Sequence, residues 1–183
     1  MIAARGDVRE GMDCMRRGIA RLREMQARNT FPHFLALYGE WLARCGETDN
    51  ALRAIAEALG TARETGDRCY LAEVHRIHGE ILLMATRRTS AVVGEAIACF
   101  EQARDLAREQ GAMSWELRAL LALLRLRLGE RPEDERRLAH VVANFEDGAD
   151  TGDLRAARDL ALLPLCPAPP ESARRSAPLP CER

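Results

Sequence analysis

Few side chains in this 183-residue chain are of a type and spacing that can do chemistry. His75 and His78 stand three apart on one helical face, where two imidazoles can begin a metal site. The sequence places no third ligand beside them, and the spacing is not the i,i+4 pair of the zinc helix motif, so packed or surface histidines are expected instead. Six cysteines occur at 14, 45, 69, 99, 166 and 181. None forms a CxxC pair or a zinc spacing. A free cysteine behaves as a small buried hydrophobe, so core packing is expected, and no spacing suggests a Cys–His nucleophile.

The basic residues narrow the chemistry further. All 27 are arginine. Without lysine no Walker-type phosphate loop, Schiff base or lysine general base can be built. No catalytic residue, metal or cofactor is therefore expected, and the chain reads as non-enzymatic. The 27 arginines face 28 carboxylates, interleaved as in Arg16-Arg17 near Glu10 and Glu24. Interleaving describes solvated helix faces with i,i+4 pairs, not a stripe that tracks phosphates, so nucleic acid is not an expected partner. No apolar run reaches the ~20 residues of a membrane span, and the start of the chain turns polar at once. A cytoplasmic protein with reduced thiols is the expectation.

The elements that must carry these side chains are helices. Ala, Leu, Arg and Glu dominate, aromatics are only 4%, and alternating strand patterns are missing. A small–large–small pattern recurs as Gly11, Met15, Gly18; as Ala51, Ile55, Ala58; as Ala96, Phe100, Ala103; and, more weakly, as Asp134, Leu138, Val141. The steps between copies are 40, 45 and 38 residues. Gly6-Asp7, Gly46-Glu47 and Gly129-Glu130 precede three copies by five residues. Arg23-Glu24, Arg63-Glu64 and Arg108-Glu109 recur near the helix ends. Gly66 and Gly111 act as helix stops, with Tyr70 and Trp115 four residues beyond them. Such a period marks a repeat architecture. Each copy is two antiparallel helices that approach at the small residues, the large one filling the groove, and each hairpin must stack on its neighbour.

Helices are expected over 8–26, 31–45, 49–65, 69–85, 94–110, 113–128, 133–146 and 151–163. Pro32 falls in a first turn, and Thr48-Asp49 is placed to cap the third helix. Residues 87–94 lengthen one hairpin loop. The repeat domain spans 1–163, with hairpin copies near 1–26, 31–65, 69–110 and 113–146 and a closing helix at 151–163. Six of the eight prolines lie from Pro164 onward, and 164–183 reads as a disordered tail.

Residues 72–83, from Ala72-Glu73-Val74-His75 to Ile81-Leu82-Leu83, together with 96–103, Ser114-Trp115-Glu116-Leu117-Arg118-Ala119 and Phe145 to Leu154, give the chain a likeness. It resembles the tetratricopeptide (TPR) repeat region at the C-terminus of bacterial adenylate/guanylate cyclase-like or LuxR-like ATPase regulators. The likeness covers roughly 1–163. It implies an all-α, right-handed superhelical stack of antiparallel hairpins, a TPR-like α-solenoid, serving as a regulatory or docking module. The family's ATPase and cyclase motifs do not occur here. Asp134 departs from the family's small residue, which implies a looser last hairpin. Met1-Ile2-Ala3-Ala4 resembles the end of a first helix. That start suits a second reading, a detached C-terminal piece of a larger regulator, and a third, self-association through the incomplete N-terminal hairpin.

In such arrays the first helices of the hairpins line a groove. Here they would present His33, Glu40, Glu73, Arg76, Glu80 and Glu116, a mixed-charge surface suited to a protein or peptide partner. Trp41, Tyr70 and Trp115 are expected to pack between hairpins. The leucines of 117–128 run nearly all round their helix, which implies burial on both sides.

Overall fold

A computed structural model of the protein describes residues 8–84, 88–127, 131–145 and 151–161. These form eight helices and no strand: α1 (Val8–Glu24), α2 (Phe31–Arg44), α3 (Thr48–Thr65), α4 (Leu71–Met84), α5 (Ser90–Glu109), α6 (Met113–Arg127), α7 (Pro132–Ala143) and α8 (Gly152–Ala161). The all-α reading holds, and helix ends agree with the composition signals to within a few residues. The tail from 164 and residues 1–7 lie outside the described residues.

Local chemistry sets the boundaries. Gly66 ends α3 in the left-handed region at φ 68°, where a side chain would be strained. Pro32 and Pro132 occupy first turns, where no backbone N–H is needed. Glu133, Asp134 and Glu135 put negative charge at the positive end of the α7 dipole. Two expectations need correction. Thr48 does not cap α3; Glu47 holds the cap position, and its carboxylate accepts from Asn50 Nδ2 at 2.7 Å. Helix α5 starts at Ser90 rather than 94, because Thr89 Oγ1 accepts from the Val92 N–H at 3.2 Å and Val92 and Val93 pack into the core below it.

Neighbouring helices pack in chain order. α3 lies against α2 and α4, α5 against α4 and α6, and α7 against α6 and α8. Helices α3, α5 and α7 thus each bridge two even-numbered ones, and α2, α4, α6 and α8 also touch in succession. Three apolar clusters follow this order. Leu35, Ile55 and Ile77 anchor the first, Phe100 and Leu123 the middle one, and Leu120, Leu138 and Leu154 the last. The small–large pattern explains the close approaches: a Cβ placed on Gly79 would sit 2.5 Å from the Phe100 ring, so only glycine fits there. Leu117, Leu120, Leu121, Leu123 and Leu124 are all buried, as an apolar helix wedged between neighbours requires.

In the last hairpin α6 and α7 touch over a shorter stretch than α2 with α3 or α4 with α5, as the departure at Asp134 implies, but Asp134 itself is not left open. Asp134 is 5% exposed and paired with Arg104 at 2.8 Å and with Arg131, which also holds Glu101 at 2.7 Å. An ion cluster between α5 and α7 replaces the small-residue contact of the other copies, and Leu138 and Val141 beside it are fully packed.

Candidate functional site

The residues expected on the even-numbered helices can be placed by the repeat steps. His33, Glu73 and Arg118 stand 40 and 45 residues apart, as do Thr30, Tyr70 and Trp115, and Glu40, Glu80 and Arg125. These are the steps that separate the pattern copies on α1, α3 and α5, so one register governs both helix sets.

In three dimensions the register becomes two adjoining ladders. The aromatic one runs from α2 to α6: His33 stacks on Tyr70 with ring centroids 4.7 Å apart and planes 20° apart, and Tyr70 meets Trp115 at 5.8 Å in a tilted contact. The charged one crosses α4, α6 and α8. Arg76 donates through Nε and Nη2 to both oxygens of Glu73, at 2.9 and 3.0 Å. Arg118 Nη1 donates to the same carboxylate at 3.2 Å, and its Nε donates to Asp153 on α8 at 2.7 Å. Glu80 lies 3.6 Å from Arg76. On α2, Glu40 is paired with Arg44 at 2.8 Å and adds its field to Arg76.

Burial strengthens this network. Glu73 is 2% exposed, so its carboxylate is held almost wholly by two guanidinium groups. Burial works against the Arg76 charge, but the hydrogen bond and the charge of Glu73 overcome it and raise its pKa. Arg118 is raised in the same way, chiefly by its bond to Asp153 against burial. Burial lowers the His33 pKa, Glu73 opposes this and Arg118 adds to it, leaving a neutral ring whose Nδ1 has no hydrogen-bond partner among the described residues.

His33, Glu40, Glu73, Arg76 and Glu80 therefore lie on or beside these ladders. Glu116 does not. It is buried and accepts from Arg137 of α7 through both oxygens, at 2.5 and 2.8 Å, on the opposite side of α6. A two-residue step on a helix turns a side chain by about 200°. The rung on α6 is Arg118, two residues on. The 45-residue step from Glu73 points to it, and Arg118 and Asp153 were the residues missed.

His75 and His78 are partly buried, as packed histidines are, whereas the expectation for the cysteines needs revision. Cys14, Cys45 and Cys69 are exposed, because they fall on the outer side of α1 and in turns; Cys99 alone of the four is buried. Its Sγ lies 3.4 Å from His78 Nδ1, a pairing that no sequence spacing suggested. Burial, with Glu95 nearby, pushes the Cys99 thiol up to about 11, and burial lowers the His78 pKa. The pair is a neutral thiol and a neutral imidazole at neutral pH, without the thiolate that a nucleophile needs. His75 is driven down to about 4, by burial first and then by His78 and Arg63.

No family model matches the chain, and no solved structure matches it significantly. An uncharacterized protein of Rhizobium meliloti (strain 1021) is 32% identical over 102 residues, which cover 56% of this chain and 10% of that protein. The chain thus spans about a tenth of the length of the curated relative it matches.

Proposed function

We propose that the chain is a TPR-like stack of helical hairpins, a right-handed α-solenoid, that docks a protein or peptide on the face formed by α2, α4 and α6. It acts without catalysis of its own, as a regulatory or docking module. The observation that carries this reading is the pair of ladders running from helix to helix, in which Tyr70 meets Trp115 and Glu73 meets Arg118 at the same 45-residue step. A repeated row of aromatic and paired charged groups suits an extended or helical segment lying across several helices, with aromatic contacts giving affinity and charges giving register. The cytoplasm is its proposed compartment.

Site-specific photo-crosslinking tests it. A benzoylphenylalanine replacing Trp115 or Arg125 is expected to trap one partner in the native host, and the same group at Ala56 or Ala139, exposed on α3 and α7, is not. Adding Arg118→Glu should abolish the trapping. Equal crosslinking from both faces, or crosslinking from α3 and α7 alone, would remove the reading.

The length of the Rhizobium relative favours a second reading, in which a stack of this kind is the docking end of a larger cyclase- or ATPase-type signalling regulator. Coding sequence in frame with Met1 that encodes a further helix and then an NTPase would support it, and a stop codon just upstream would not.

A further inference from the structure

The rungs His33, Glu73 and Arg118 continue onto α8 at Asp153, which Arg118 holds at 2.7 Å. Seven residues beyond each rung stand Glu40, Glu80, Arg125 and Leu160. Seven residues return a helical side chain to within about 20° of the same face, about 10 Å further along the axis. A second row therefore crosses α2, α4, α6 and α8, and α8 ends one residue past its last member, at Ala161. The row is not evenly satisfied. Arg125 is exposed and makes no hydrogen bond or ion pair among the described residues. Glu80 is part-exposed and 3.6 Å from Arg76, whose hydrogen bonds go to Glu73. Glu40 is already held by Arg44 at 2.8 Å. Going from α6 to α4, the row thus offers a free cation and then a loosely held carboxylate.

Residues 162–183 follow α8 in sequence and lie outside the described residues. Their first charged side chains are Glu171, Arg174 and Arg175. A chain leaving Ala161 along the row meets α6 before α4, so a carboxylate arrives first and a guanidinium second, the complement of Arg125 and Glu80. The spacing fits as well. Three residues of extended chain cover about 9 Å, and neighbouring helices stand about 8–10 Å apart. The ten residues from Ala161 to Glu171 can span up to about 33 Å, so Arg125 on the adjoining helix is well within reach. Pro167, Pro169 and Pro170 fix their own φ angles and so limit the freedom lost when the stretch before Glu171 is laid down. A tethered segment also acts at an effective concentration on the order of millimolar, at which a few part-exposed ion pairs suffice.

We propose that residues 162–183 bind back across this face, with Glu171 on Arg125 and Arg174 on Glu80, and that a docking partner must displace them. The tail is then a built-in competitor for the proposed docking surface. Displacement rests on the docking reading given above; the contact between tail and face does not.

Backbone NMR relaxation on the purified full chain tests the contact. At low salt the order parameters of the Ser172, Ala173, Arg174 and Arg175 amides are expected above about 0.6, falling below it as salt rises. Arg125→Glu should lower them in the same way, with the melting temperature held because Arg125 is exposed and unpaired. Arg136→Glu, an equal charge change at an exposed position of α7, should not. Arg125→Glu together with Glu171→Arg should restore them. Low order in the wild-type chain, order that ignores Arg125→Glu, or no recovery in the swapped pair would overturn the proposal. So would order that grows with protein concentration, which would assign the face to a second copy's tail. Displacement is read in the host: Glu171→Arg should raise partner crosslinking from Trp115 about threefold, and an unchanged yield would overturn it. If nothing is trapped from Trp115, the docking reading fails while the NMR result stands.

Discussion

At the scale of single residues, Glu73 concentrates the electrostatics of the proposed docking face. It accepts from arginines of two helices, Arg76 of α4 and Arg118 of α6, and it is almost fully out of water. Replacing it by glutamine leaves the Arg76 guanidinium buried beside a neutral amide. Chemical denaturation should show a loss of about 2–3 kcal/mol. Glu24→Gln, which removes only an exposed partner of Arg21, should change stability by less than about 0.5 kcal/mol. His75 makes a pH prediction. Its folded pKa, about 4, lies below the unfolded value near 6.5, so between those values the unfolded chain binds a proton that the folded chain does not. The stability His75 contributes is therefore complete above pH 6.5 and is lost as pH falls toward 4. Melts from pH 7.5 to 5, above the main carboxylate range, should fall in temperature with acid, and His75→Leu should flatten that slope. An unchanged slope in the variant would mean that His75 is not the group responsible.

At the scale of elements, the hairpins depend on a large residue of one helix meeting a small one of the next. Phe100→Ala removes the largest side chain of the middle cluster and should cost about 3–5 kcal/mol. Gly79→Ala tests the same contact from the other side. Alanine is the better helix former by about 1 kcal/mol, yet its Cβ would lie 2.5 Å from the ring, so the variant should be less stable than wild type. A more stable Gly79→Ala protein in the same denaturation series would show that the ring moves aside freely. The large half of this contact was legible, because Phe100 stands in the small–large–small pattern whose fixed spacing leaves a periodic trace, whereas Gly79 lies outside that pattern. Helix starts such as Ser90 were less so, since Thr89 caps that helix through one hydroxyl and no period announces it. The proposed docking face was half legible. His33, Glu73 and Arg76 follow from the phase of α2 and α4, but α6 is apolar nearly all round, and without a polar side to orient it the sequence does not show that Arg118, not Glu116, is its rung. The ion pairing of Asp134 was not legible: its partners Arg104 and Arg131 lie 30 and 3 residues away, and a pairing across helices leaves no periodic trace.

At the scale of the whole molecule, the order of contacts matters more than any one of them. Among the described residues α8 touches only α6 and α7, and no contact joins it to α1, α2 or α3. A stack with only nearest-neighbour contacts has stability that is a sum of local terms, so a defect at one end need not reach the other. A chain of the same helices around one shared core would open as a unit. Native-state hydrogen exchange on Leu154→Ala, which hollows the α6–α8 cluster without touching α2 or α3, separates these most directly. The stack predicts faster exchange confined to α6, α7 and α8, with α2 and α3 unchanged. An equal loss of protection in all eight helices would contradict it.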